Sequence, residues 1–200
     1  MTYPNAAAGL KTVYQSQVVG LIATVLLFIP FINILAAAAL LVVFVLYMVG
    51  LNQCAKQDDG YRTAFTLVII NLVVNLLGNF IPGAISTILS LVGDVLTLAA
   101  LYFVCITTNR LLENLRAPQN TIDRGVVVWK INVICTIVAV VCTLLSMIPV
   151  VSLQLLASIV TLIATIAQLV GCILYMLFLR DAYRIMESVI PPEEQVQQMM

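Results

Sequence analysis

The sequence predicts an all-α fold: an integral membrane bundle of six transmembrane helices arranged as three tandem helical hairpins. Three observations predict it. The 200 residues are 62% hydrophobic and only 9% charged, whereas soluble domains carry roughly 25% charged residues. The apolar residues fall into three tracts, 13–51, 64–106 and 126–179, each long enough for two spans of about 20 residues. An Ile-Pro step divides each tract, at Ile29-Pro30, Ile81-Pro82 and Ile148-Pro149. Proline removes a helix donor and turns the preceding residue out of the α region.

Taken in order, the expected spans are 13–29, 33–51, 64–81, 84–106, 126–148 and 151–179. The first has a decoy reading. Lys11, the apolar run from Val18 to Ile32 and Ala36-Ala37-Ala38-Ala39 have the layout of a secretory signal. The alanines lead straight into Leu40–Gly50, which is more apolar still, so a second membrane helix is the better reading. Lys56-Gln57-Asp58-Asp59-Gly60 reads as a turn, with glycine supplying backbone freedom. Residues 107–116 extend helix four by an amphipathic turn or two until Pro118 stops it. Thr121 or Asp123 is the expected cap of helix five. Residues 188–200 read as a loose polar tail, and the whole chain as one membrane domain.

The hairpins resemble one another. Each leaves its second arm through a tyrosine, at Tyr47, Tyr102 and Tyr175, followed by a polar exit. Two-helix units return to their starting side, so such repeats are parallel, unlike the inverted repeats of many transporters. Of the nine Lys and Arg, eight lie at the termini or in the two long connections and Lys130 at the adjoining start of the fifth span, and the Ile-Pro turns carry no charge. The positive-inside rule then puts both termini in the cytoplasm, with a bacterial cell membrane as the expected location. Tyr14, Tyr47, Tyr61, Tyr102, Trp129 and Tyr175 crowd the same interface.

Polar residues inside the spans are the candidate chemistry. Asn71, Asn75 and Asn79 lie at i, i+4, i+8 on helix three, and Ser86, Ser90 and Asp94 do so on helix four. In a hairpin centred between Pro82 and Gly83, Asn79 faces Ser86, Asn75 faces Ser90 and Asn71 faces Asp94. Asp94 is the only charged residue deep inside any expected span, Lys130 lying near the cytoplasmic start of the fifth. It lies 12 residues past Pro82, so about 18 Å below the turn, near the middle of the bilayer. A central aspartate costs about 2.5–3.5 kcal/mol on the insertion scale, which calls for a partner, and Asn71 is the first candidate. Asp94, Asn71, Asn75 and Ser90 form the candidate solute or ion site. A second polar stripe, Ser158, Thr161, Thr165, Gln168 and Cys172, runs down helix six. Helix five offers Asn132, Thr136, Thr143 and Ser146. Their near-heptad spacing reads as helix packing.

Several functions are disfavoured. The chain has no histidine, so a Ser-His-Asp triad, an HExxH zinc motif and a histidine base are all absent. The five cysteines include no CxxC pair, so no metal site is expected, and no cofactor fingerprint is present. Leu91-Val92-Gly93-Asp94 resembles the GxGD motif of intramembrane aspartyl proteases. Leu91 replaces the first glycine, however, and no second intramembrane aspartate shares the proton, so no enzyme is expected. Zero net charge and the lack of a basic run exclude nucleic acid as a partner. The expected partners are the lipid bilayer and a second copy or another membrane protein. The leading expectation is a small-solute or cation carrier or channel component. The alternatives are a non-catalytic accessory, assembly or immunity-type protein, and a membrane-shaping hairpin protein.

Overall fold

The computed structural model describes residues 2–26, 29, 33–81, 83–146 and 151–191. Among these residues six helices run in order: α1 Pro4–Leu26, α2 Asn33–Ala55, α3 Asp59–Phe80, α4 Ala84–Asn114, α5 Gln119–Ser146 and α6 Val151–Ser188. No strand occurs among the described residues. The closest packing is within the pairs α1–α2, α3–α4 and α5–α6, which are the three hairpins. Pro30, Pro82 and Pro149, where the turns are expected, lie outside the described residues, as does the tail from Pro192. Gly83, just past one turn, has φ of 87°, a conformation that glycine adopts without a Cβ penalty.

Helices α2 to α6 are each long and apolar enough to cross a membrane, and the chain is a polytopic integral membrane protein. Over its described residues α1 does not join them. It starts at Pro4, and its first turns, Asn5-Ala6-Ala7-Ala8-Gly9, are small or polar. The apolar part expected at 13–29 runs past its described end. The other helices also overrun their apolar tracts on the charged side, α4 to Asn114 and α6 to Ser188. Lipid ends before the helix does, because backbone hydrogen bonds continue wherever side chains can cap and pack the extra turns.

The hairpins form a ring. α2 packs on α3, α4 on α5, and α1 on α6, while α4 also touches α6 across the middle. The contiguous core sits at the charged end. Leu10, Leu51, Tyr61, Val104, Leu112, Val128, Phe178, Leu179 and Met186 are all fully buried there. The core ends at about the level of Val13, Val68, Ala100 and Tyr175. Toward the Ile-Pro ends, burial thins to small residues such as Ala23, Gly93, Cys142 and Ala157. Large apolar residues there, including Ile34, Phe80 and Ile163, are exposed, as lipid-facing positions should be.

Close backbone approach and ion pairs lock the charged end. A Cβ on Gly9 would stand 2.6 Å from Gly50 O, so these two glycines let α1 and α2 meet backbone to backbone. The α2–α3 turn differs from expectation. Asp58 caps α3 by accepting from the Gly60 N–H at 2.8 Å, and Gly60 is already helical. Its missing side chain serves packing, since a Cβ would lie 2.0 Å from Thr107 Oγ1. α5 begins at Gln119, directly after Pro118. Proline is preorganised to open a helix, so Thr121 and Asp123 fall inside the first turns rather than at the cap. Arg110 grips both oxygens of Asp58. Arg124 pairs with Asp181 across α5 and α6, and Lys11 pairs with Glu187 at 2.8 Å across α1 and α6. That hydrogen bond raises the Lys11 pKa above its usual 10.5.

Candidate functional site

The α3–α4 hairpin places the candidate residues. Its register is close to that expected: Ser86 Oγ donates to Gly78 O at 3.1 Å, and Asn71 Nδ2 donates to Thr97 Oγ1 at 2.9 Å. The facing residues differ from the expected ladder. Asn75 Nδ2 donates to Asn71, reaching its backbone O at 2.9 Å and its Oδ1 at 2.7 Å. Thr97 Oγ1 in turn donates to Gly93 O at 3.0 Å. A directed chain thus runs Asn75, Asn71, Thr97, Gly93 carbonyl. Gly93 is buried under it, with Asn71 Oδ1 2.9 Å from the point where a Cβ would sit.

Asn71 is therefore not the partner of Asp94, nor Asn75 that of Ser90. The reason is geometric. Steps of four residues advance about 400°, so an i, i+4, i+8 stripe drifts about 80° around the helix over its length. Starting from Ser86, which does face α3, the drift carries Asp94 off the interface, and Gly93 and Thr97 take its place. Asn79 is likewise exposed, and Gly78 stands at the interface. Thr97 and Gly93 are the residues that the stripe missed. The available signal was the glycine itself, since small residues mark close helix contacts in membranes.

Asp94 is exposed and makes no hydrogen bond or ion pair among the described residues. Its direction follows from helix phase. Leu101, Cys105 and Leu112 lie 7, 11 and 18 residues further along α4, which is about two, three and five turns. Cys105 and Leu112 are fully buried in the core at the charged end, and Leu101 packs against it. Asp94 thus occupies the core-facing side of α4, at a level where the core has ended. Ser90, also exposed, is one turn above.

α6 has the same arrangement. Tyr175, Leu179 and Met186 follow Gln168 by the same 7, 11 and 18 residues, and all three are buried. Gln168 and Asp94 each lie 20 residues before the end of their helix, at Ser188 and Asn114. Thr161, Thr165 and Gln168 are exposed rather than packed, which corrects the packing reading of that stripe. The buried positions in this stretch are Ala157 and Gly171, and Gly171 lies against Ile131 and Asn132 of α5. Gln17 of α1 and Asn132 of α5 are half-buried on core-facing sides, since Leu10 lies 7 residues before one and Val128 4 before the other. About two turns below Gln168, the Tyr175 hydroxyl is buried. The hydroxyl lies beside Tyr47 of α2.

By helix phase, Asp94 of α4 and Gln168 of α6 share the core-facing side of their helices above the core, while Asn132 donates to Val128 O at 2.9 Å within α5. An unpaired carboxylate, amide oxygens and hydroxyls are hard oxygen donors, suited to a small cation or a solute amine. No group of three or more metal-ligating side chains occurs among the described residues. No family model, curated protein or solved structure matches this chain, so its functional reading rests on its own residues.

Proposed function

We propose that this protein is a carrier or channel component that moves a small cation or cationic solute through the space between its hairpins. Asp94 is the group that receives it. The observation that carries this reading is the position of Asp94: ionisable, within a spanning helix, unpaired among the described residues, and on the core-facing side of α4. Interhelical adhesion does not account for it, because the Asn71–Thr97 and Ser86–Gly78 hydrogen bonds already join α3 to α4. Intramembrane ionisable residues of this kind mark ion and solute pathways. Gln168 and Ser90 are the nearest candidate helpers by level and face. The basic end, with both termini, lies in the cytoplasm in this reading, and no chemical reaction is assigned.

The test uses the purified protein in lipid vesicles, with labelled Na⁺, K⁺ and protons as probes. The wild type should move at least one of them, and Asp94→Asn should slow it at least tenfold, a loss of about 1.4 kcal/mol in the barrier. A carbodiimide reagent should modify Asp94, and the transported cation should protect it. Flux that survives Asp94→Asn, or wild-type vesicles that pass none of the probes, would overturn the proposal and favour an accessory role.

A further inference from the structure

The charged end carries a second feature, independent of Asp94. A cavity of about 620 Å³ opens between the α2–α3 turn and α4. Lys56, Asp58, Asp59 and Arg110 form its polar side, and Phe103 and Ile106 its apolar wall. It faces outward. Thr107 and Phe103 lie around α4 from the buried Cys105 and Leu112, on the side that meets the start of α3. The same outer side of α4 continues along the span through Ile106, Val92, Ile88 and Ile85, all exposed. The cavity therefore joins a lipid-facing track to the level of the bilayer headgroups.

The four charges divide into two kinds. Arg110 and Asp58 grip each other and hold the turn against α4. Lys56 and Asp59 make no ion pair among the described residues, and both are exposed. One ammonium and one carboxylate are thus uncommitted in a cavity whose formal charges cancel. An anionic headgroup would be attracted by Lys56 and repelled by Asp59. A zwitterionic headgroup with a primary amine satisfies both, its phosphate at Lys56 and its ammonium at Asp59. We infer that this cavity binds the headgroup of phosphatidylethanolamine, with an acyl chain lying along Ile106 and Val92.

Native mass spectrometry of the whole protein, purified in mild detergent and mixed with equal amounts of three phospholipids, tests this. Phosphatidylethanolamine should be retained over phosphatidylglycerol and phosphatidylcholine by about fivefold, the factor that one partly exposed ion pair supplies. Phosphatidylcholine is the key control, because it has the same net charge but no N–H to donate. Asp59→Asn should abolish the preference over phosphatidylglycerol, and Lys56→Gln should lower retention of phosphatidylethanolamine and phosphatidylglycerol alike. Equal retention of the three lipids by the wild type, or a preference unchanged in both variants, would overturn the inference. Neither residue lies near Asp94, so the result is separable from that of the flux assay.

Discussion

Arg116 shows how a single residue can carry strain that the rest of the fold tolerates. α4 ends in a Schellman arrangement: Ala117 N–H donates to Leu112 O and Arg116 N–H to Glu113 O, both at 3.0 Å. That motif needs a left-handed residue between them, and Arg116 supplies it at φ of 54°, where glycine is the usual occupant. An L side chain in that region costs roughly 1 kcal/mol. Arg116→Gly is therefore expected to stabilise the protein by about 0.5–1 kcal/mol, read as a rise in the midpoint of thermal unfolding in detergent. An unchanged or lower midpoint would mean that the arginine side chain makes up for its own backbone. Gly60 is the opposite case, a glycine kept for space rather than for φ, since Thr107 occupies the room that a side chain would need.

At the scale of elements, the polar chain on the inner half of the α3–α4 hairpin has a weak link. Asn71 both accepts from Asn75 and donates to Thr97, so Asn71→Leu breaks two side-chain bonds at once. Interhelical hydrogen bonds in membranes average about 0.6 kcal/mol. Only the Asn71–Thr97 bond is interhelical, so the expected loss is about 0.6 kcal/mol in a denaturant titration, with Asn75→Leu losing less. Asp94→Asn should leave stability unchanged or raise it, because Asp94 has no described partner to lose. A large destabilisation by Asp94→Asn would make it a structural residue and count against its assigned role. The sequence made the three hairpins and their divisions readable, because apolar length and proline position report directly on lipid. It did not show which residue of each adjacent pair faces the neighbour. Gly78 against Asn79, and Gly93 against Asp94, differ by one position, or about 100° of helix. A pattern of polar residues points to the larger side chain, whereas close packing selects the glycine. The start of α1 at Pro4 was hidden for a related reason, as its first turns are held by contacts of Ala6 and Gly9 with α2, not by apolar length.

At the scale of the whole molecule, one ring combines a packed end with a half in which the core has ended. The packed end concentrates the large buried side chains, the close glycine contact and all the ion pairs described. Near the other end, the same helix faces carry Asp94, Ser90, Thr161 and Gln168, all exposed. Exposure there has two possible solvents, lipid outside the ring and water inside it, and helix phase separates them. Val92 and Ile163 sit on the outer sides of α4 and α6, and Asp94 and Gln168 on the inner sides. Single cysteines at these four positions, in protein with Cys172 replaced by alanine, should therefore react differently. The remaining native cysteines are buried. A charged, water-soluble thiol reagent should modify Asp94→Cys and Gln168→Cys at least tenfold faster than Val92→Cys and Ile163→Cys, because thiolate formation requires water. Equal and slow reaction at all four would mean that the interior is dry or filled by a partner helix, and the carrier reading would fall with it. Fast reaction at the inner pair, slowed by the cation that protects Asp94 from carbodiimide, would place the solute and the water in the same space.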